Sequence, residues 1–545
     1  VLGLLAALSL VAPALVAAEP AGAAGPPNVV RTGGPSAPGD AKIAVLGSNT
    51  SRAGQPFTVS DATNRVVYTG TLQAAAHPAP WAYAALANFS AVTTPGKYRI
   101  KAGGKRSQWW EVRAGASRLP IPTLLRFFNT NRDGSEASLD HPSAHLHDAV
   151  IASGPNAGQQ RNLTGGWMDA GDMLHFTETT GYTAVVLQLA ASLDATDSAA
   201  LRREGDVGVR WLAKAHPAPG LFIGQVGDER DHDIGWRLPQ SDDASTQPGI
   251  GRRLAYPSTA SSLAGKAAAA LALAAVRATE PARTTLLTNA QDWYAAGVAT
   301  NGPGPTLRGE FYVDDTWKDD LALAAVMLYR ATGTAGYLTD ASSYLTDAVA
   351  GTQGLGWYDT TALAGGEICG VFGRPAVADL TIRALGCQKL QAAATAALGI
   401  AAANAPWGTP GYYGWGQTGA QGGGGAAIAL ARRAGLIGAT PVAARARDYL
   451  LGANQWGSSF VVGYGQKAAK KPHHWANLIG KLKPLGAVVG GPAPRADIAE
   501  QGFNVNGKFD SAGAAYQDRT VNYVNSEPAL DYTVNSVLLL AALPA

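Results

Sequence analysis

The sequence predicts two parts in series, a small β-sandwich followed by an all-α toroid of paired helices. At 545 residues the chain exceeds a single average domain. From residue 41 to residue 114 the apolar residues alternate in short runs (AKIAVLG, PFTVSD, RVVYTGTL, WAYAALANFS, GKYRIKAG, SQWWEVRA) separated by Gly, Pro and Asn. Six or so strands at that spacing suit a sandwich. After Pro120 the apolar residues recur every three or four positions in Ala- and Leu-rich segments at 173–193, 257–278, 281–299, 317–332, 376–402 and 440–452. Counting weaker segments, roughly a dozen helices follow. Their connecting loops are dense in Gly, Pro, Trp and Tyr, and they vary too much in length for a regular solenoid. Long loops of that kind are where a helical scaffold carries function.

Residues 1–24, VLGLLAALSLVAPALVAAEPAGAA, combine an apolar run with small residues and Pro. This reads as the h-region and cleavage zone of a signal peptide, so a secreted, extracellular protein is expected. As a membrane anchor the run is short and broken by Pro13, and no membrane association of the mature form is expected. Residues 25–40, rich in Gly, Pro, Ala and Ser, read as a linker. Apolar residues make up 46%, enough for a large core, and 43 basic residues face 40 acidic ones. That balance excludes nucleic acid or an anionic membrane as the main partner, because both demand concentrated positive charge. Cys369 and Cys387 are the only cysteines. They are too few for a cysteine-based zinc site, and in an exported protein they either pair or stay free.

Three constellations carry chemistry. Gly165-Gly166-Trp167-Met168-Asp169-Ala170-Gly171-Asp172 places two carboxylates three residues apart with only small residues between them. One can hold and deprotonate a water beneath a sugar ring while the other orients it, as inverting glycosidic hydrolysis requires. A turn or helix cap would use the same residues, and a calcium loop would need more oxygen ligands at regular spacing. The second is Tyr516-Gln517-Asp518 followed by Tyr523, Ser526-Glu527-Pro528 and Asp531-Tyr532. Pro528 suits a first helical position, so Glu527 is expected to cap a final helix over 528–542. The helix dipole would lower its pKa, so a general acid here needs burial and neighbouring carboxylates to outweigh it. The third is Lys471-Pro472-His473-His474-Trp475. Adjacent histidines rarely share one metal ion, and hydrogen bonding to sugar hydroxyls with Trp475 as a stacking platform is the better functional reading. Asp231-His232, Trp236, Trp407, Tyr412, Tyr413, Trp415 and Trp456 could line the same groove, although any one of these aromatics could equally be core.

Together these segments resemble glycoside hydrolase family 9, from about residue 41 onward. The resemblance implies an immunoglobulin-like sandwich over 41–114 and an (α/α)6-barrel catalytic domain over 118–545. It makes Asp172 the general base, Asp169 its assistant and Glu527 the general acid. Ser459, Val461, Val462, Gly465, Lys467, Pro472 and His473 match the family's histidine signature, and Tyr516, Asp518, Tyr523, Glu527 and Ala529 its carboxylate signature. Four positions depart from the pattern. Trp475 stands where the family has Arg, Ser526 replaces Asn, Pro528 replaces an aliphatic residue, and Asn535 lies two residues beyond its usual place. The expected activity is inverting, endoglucanase-like cleavage of β-1,4-glucan. Trp167, His232, Trp236, His473, Trp475, Asp518 and Tyr532 are expected to bind the oligo- or polysaccharide. No cofactor is required, with room left for a structural calcium ion. The alternatives are exo-action on glucan, xyloglucan or glucosamine oligomers, and an inactive carbohydrate-binding homologue. The intact Asp169, Asp172 and Glu527 set weighs against the second.

Overall fold

The computed structural model describes residues 26–76, 80–136, 139–232, 234–304, 307–348 and 354–544, with the side chain of His232 outside the description. The expected signal segment at 1–24 lies outside the described residues. Among those described, no helix is long and apolar enough to cross a membrane.

Among the described residues nine strands build the sandwich: β1 (Val29–Arg31), β2 (Ile43–Ser48), β3 (Pro56–Asp61), β4 (Val66–Thr71), β5 (Gln73–Ala75), β6 (Tyr83–Asn88), β7 (Gly96–Ala102), β8 (Lys105–Arg106) and β9 (Trp110–Val112). One sheet runs β1-β2-β6-β5; the other runs β4-β3-β7-β8, with β9 also on β7. The alternating residues Phe57, Val59, Ile100, Ala44 and Leu46 meet between the sheets and are buried, as a two-sheet core requires. The segment expected to be a linker is structural. Val29–Arg31 pairs antiparallel with β2, and Asp40 bonds Arg447 at 2.6 Å on a barrel helix. Ser117 and Asp448 also accept from that buried guanidinium, at 2.9 and 2.8 Å.

Twelve principal helices form the barrel: α1 (Ile121–Asn131), α2 (Thr177–Leu193), α3 (Ser198–Lys214), α4 (Ser261–Ala275), α5 (Ala282–Thr300), α6 (Trp317–Thr332), α7 (Ala335–Asp347), α8 (Thr361–Cys369), α9 (Leu380–Ala403), α10 (Gln417–Arg433), α11 (Val442–Leu450) and α12 (Leu530–Ala542). Six of them close a ring in the order α2, α4, α6, α8, α10, α12, with α12 returning to α2. The sequence explains which six. The α4 segment SSLAGKAAAALALAA is buried along its whole length, and a helix apolar on every side needs neighbours on every side. The outer helices keep one polar face; in α5 only Ala290, Trp293, Tyr294 and Gly297 are buried. Small residues let inner helices approach closely. A Cβ on Gly423 of α10 would sit 1.8 Å from the Leu355 carbonyl oxygen, so no larger residue fits there. Cys369 and Cys387 pair, joining α8 to α9.

A small third sheet, β10 (Val150–Ile151), β13 (Leu254–Pro257), β12 (Ile223–Val226) and β11 (His175–Phe176) in that order, ties the loop ahead of α2 to the loops between α1 and α2 and between α3 and α4. It thereby fixes the backbone just past Asp172.

Candidate active site

Three loops at one end of the barrel are sewn together by backbone hydrogen bonds. Trp475 N–H donates to the Gly171 carbonyl at 3.0 Å, and His473 N–H to the Ser526 carbonyl at 2.9 Å. Glu527 in turn accepts the Gly171 N–H at its carboxylate. Gly171 is required at this crossing: a Cβ there would fall 2.1 Å from the His473 carbonyl oxygen and 3.1 Å from Glu527 Oε1. Asn131, at the end of α1, donates to the Met168 and Ala170 carbonyls at 2.9 and 3.1 Å. The two carboxylate segments, far apart in sequence, thus share one wall.

The result is a cavity of about 690 Å³ whose lining includes Asp169, Asp172, Glu527, Trp236, His473 and Tyr532. Asp169 is held from both sides, by the Thr179 hydroxyl on Oδ1 and the Tyr312 hydroxyl on Oδ2. Burial pushes its pKa up to about 7, with the Thr179 and Tyr312 bonds opposing and Asp172 adding to the rise. Asp172, half-buried, accepts the Leu174 N–H at 3.1 Å. Burial raises the Glu527 carboxyl well above the usual range, and Asp172 and Asp169 add to it. Asp531, in the first turn of α12, is raised to about 8 by burial and then by Asp169. Four carboxyls in one low-dielectric end cannot all ionise cheaply.

Glu527 does not cap the last helix. Pro528 pairs with Val489 in an isolated bridge, Glu527 is extended, with φ −73° and ψ 127°, and α12 begins only at Leu530 after Ala529. The residue before a proline is steered away from the helical region, and here the bridge keeps the chain extended two residues longer. Its carboxyl therefore escapes the helix dipole that would have lowered its pKa.

The expected sugar-binding residues divide. Trp236, His473 and Tyr532 line the cavity, as does Trp415. Trp236 and Trp415 are 38% and 42% exposed, leaving flat faces for stacking. His473 Nδ1 donates to the Thr520 carbonyl at 2.7 Å, which aims its other edge elsewhere. Trp167 is instead fully buried and donates to Glu204 at 2.9 Å, itself paired with Arg132. Trp407 and Trp456 also belong to the core. Asp518 is absent from the cavity lining. It accepts the N–H groups of Lys470 and Lys471, both at 2.9 Å, and so positions the histidine loop. His474 is buried, bonding Asn131 at 2.9 Å, and burial then His473 and His141 lower it to about 3.

Trp475 is no stacking platform. It contributes to the cavity wall but has no exposed surface, packed with Met168, Met173, Leu238 and Leu482. Trp475→Ala should therefore cost about 3–5 kcal/mol of stability. Thermal denaturation checks this, and an unshifted midpoint would return the indole to the binding surface. Tyr312, Thr179, Trp357 and Arg237 were not singled out in the sequence. Arg237 carried the best available signal, adjoining Trp236 in the flagged Asp231-His232 stretch.

Among the described residues, two clusters have the donor types of a metal site, Asp133–His145–His175 and Glu178–Asp314–Asp320. Neither fits an ion. In the first, Asp133 Oδ2 accepts from His145 at 2.7 Å, His175 at 2.9 Å and Arg253 at 3.1 Å. Burial and Arg253 push His145 down, but Asp133 and Asp242 hold it at about 9, leaving a protonated ring with no lone pair to offer. In the second, the Lys266 ammonium lies 2.5 Å from Glu178, 3.1 Å from Asp314 and 2.6 Å from Asp320. Each cluster already holds a cation of the protein's own.

With this geometry in place, the family assignment is decided by a model of glycosyl hydrolase family 9 that matches residues 121–540. The chain belongs to glycosyl hydrolase family 9. A cellulase N-terminal Ig-like domain matches residues 37–107, in agreement with the sandwich. Among its relatives, an endoglucanase of Dictyostelium discoideum is 28% identical over 457 residues, 78% of this chain and 60% of the relative. Endoglucanase 14 of Arabidopsis thaliana is 27% identical over 77% of this chain and 91% of the relative. The chain thus spans less than two thirds of the Dictyostelium protein's length. In fold, it superposes on AaCel9A in complex with cellobiose-like isofagomine with a TM-score of 0.77, at 23% identity over 94% of this chain and 99% of the other. A zinc-binding triple mutant of a family 9 endoglucanase gives 0.76, at 24% identity over 93% and 99%.

Proposed function

We propose that this family 9 glycoside hydrolase is an exported enzyme that cleaves β-1,4-glucan with inversion. The observation that carries the reading is the meeting of Asp169, Asp172 and Glu527 in one cavity, with the Glu527 pKa raised. Desolvation and the charges of Asp172 and Asp169 favour the protonated form of the half-buried Glu527 against the opposing Gly171 N–H, and Asp172, also half-buried, lines the same cavity and accepts a backbone N–H. A neutral carboxylic acid facing a carboxylate is the acid–base pair of glycoside hydrolysis.

In the proposed step Asp172 takes a proton from water as the water oxygen bonds to the anomeric carbon. The glycosidic C–O bond breaks, and Glu527 delivers its proton to the departing oxygen. Asp169, pinned by Thr179 and Tyr312, helps to orient the water. The exposed faces of Trp236 and Trp415 support the apolar faces of glucosyl rings, and the cellobiose-like ligand of one structural neighbour is consistent with such a substrate.

Attack by water from the face opposite the leaving group inverts the anomeric carbon. Proton NMR during the first turnovers of cello-oligosaccharide cleavage should show the α-anomer before mutarotation. Early β-anomer would overturn the water-base mechanism.

A further inference from the structure

Arg237 is the one arginine or lysine among the described residues lining the cavity. Its Nε donates to Asp242 Oδ1 and its Nη1 to Asp231 Oδ1, each at 2.7 Å. These two bonds fix the plane of the guanidinium and leave Nη2 without a partner among the described residues. Asp242 is itself held by His145 at 3.1 Å, so the anchor does not swing freely. Asp231 also lines the cavity, its side chain is 6% exposed, and its Oδ2 has no hydrogen-bond partner. Among the described residues an unused donor thus stands beside an unused, buried acceptor. The same loop carries Trp236, which presents its exposed ring at the cavity and meets His473 edge-on at 4.7 Å. Trp475 is buried against Leu238 of this loop.

Buried polar atoms without partners carry a desolvation cost that a ligand can remove. We propose that Arg237 and Asp231 form a diol grip, in which Nη2 donates to one sugar hydroxyl and Asp231 Oδ2 accepts from its neighbour while Trp236 supports the ring. The grip specifies a neutral sugar with adjacent free hydroxyls. Two carboxylates already neutralise the guanidinium, so a uronate gains no salt bridge here and meets Asp231 as a like charge. This rests on the glucan reading of the cavity and adds to it the feature of the sugar being read.

Arg237→Lys keeps the charge near Asp231 and Asp242 but loses the planar fork. It should raise KM for cellotetraose about 10–100-fold with little change in kcat. Calorimetric titration with cellotetraose and with monodeoxy cellotetraoses provides the second arm. Wild type should lose affinity for the analogue lacking a gripped hydroxyl, and Arg237→Lys should show no further loss on that analogue. Asp231→Asn, which retains the shape, should behave alike. Unchanged KM, or an equal loss on every analogue in a variant with the wild-type melting curve, overturns the grip. Arg237-dependent binding in a wild type that hydrolyses no β-glucan would uphold the grip and overturn the proposed function instead.

Discussion

Asp172→Asn should abolish turnover of cello-oligosaccharides and of activated aryl cellobiosides alike, by about 10²–10⁴-fold or more. An amide cannot take the proton from water, whatever the leaving group. Glu527→Gln should show a comparable loss on cello-oligosaccharides but spare a dinitrophenyl cellobioside, whose leaving group departs without a proton. The pH profile gives the sign independently. Glu527 is protonated below its raised pKa, so activity on natural glucan should fall as pH rises through that value. On the activated substrate the alkaline limb should vanish in Glu527→Gln. Initial rates of both variants on both substrates decide the matter, and equal losses in Glu527→Gln would make this carboxyl structural.

The second large effect is expected at Lys266. Its ammonium, fully buried in α4, is the counter-ion of Glu178, Asp314 and Asp320. Burial alone would push its pKa down, but Asp320, Glu178 and Asp314 raise it well above its ordinary value. Lys266→Met leaves those carboxylates uncompensated, which costs about 3–5 kcal/mol when one member of a buried ionic group is removed. The deficit should depend on pH. Glu178 already stands at about 7, raised by burial against the pull of Lys266, and loss of the ammonium raises it further. A carboxyl whose folded pKa exceeds its unfolded one loses stability as pH rises between the two. The gap in denaturation midpoint between variant and wild type should therefore be wide at pH 8 and narrower at pH 5. A gap independent of pH would show that lost packing, not lost charge, governs the effect. Glu178 directly precedes Thr179, so the variant should also slacken the grip on Asp169.

The sandwich and the barrel were legible in the sequence because each rests on a local period, two residues in the strands and three to four in the helices. The three-residue β1 was not, since Val29 and Val30 stand among prolines and glycines that read as a linker. The third sheet has strands of two to four residues, too short to show a period. Asp169, Asp172 and Glu527 were legible as candidates because their surroundings match the family 9 motifs, although a turn or a helix cap would use the same residue types. Trp167 and Trp475 were misplaced. Whether an indole in a Gly- or His-rich loop faces a cavity or the core depends on what packs above it, and Glu204 and Leu238 come from remote segments. Tyr312 and Arg237 matter only through partners distant in sequence, Asp169 for one and Asp242 with Asp231 for the other.

The closed ring has a consequence for the order in which the protein comes into being. The loop bearing Asp169 and Asp172 leads into α2, the first stave of the inner ring, and Glu527 lies just ahead of α12, the stave that meets α2. The two carboxyls therefore straddle the seam. During synthesis Asp172, the proposed base, emerges with the opening stave and waits while four further inner staves are laid down. Glu527, the proposed acid, arrives only with the stave that shuts the ring. No partly built barrel holds both halves of the chemistry, and closure of the seam is the event that brings them face to face.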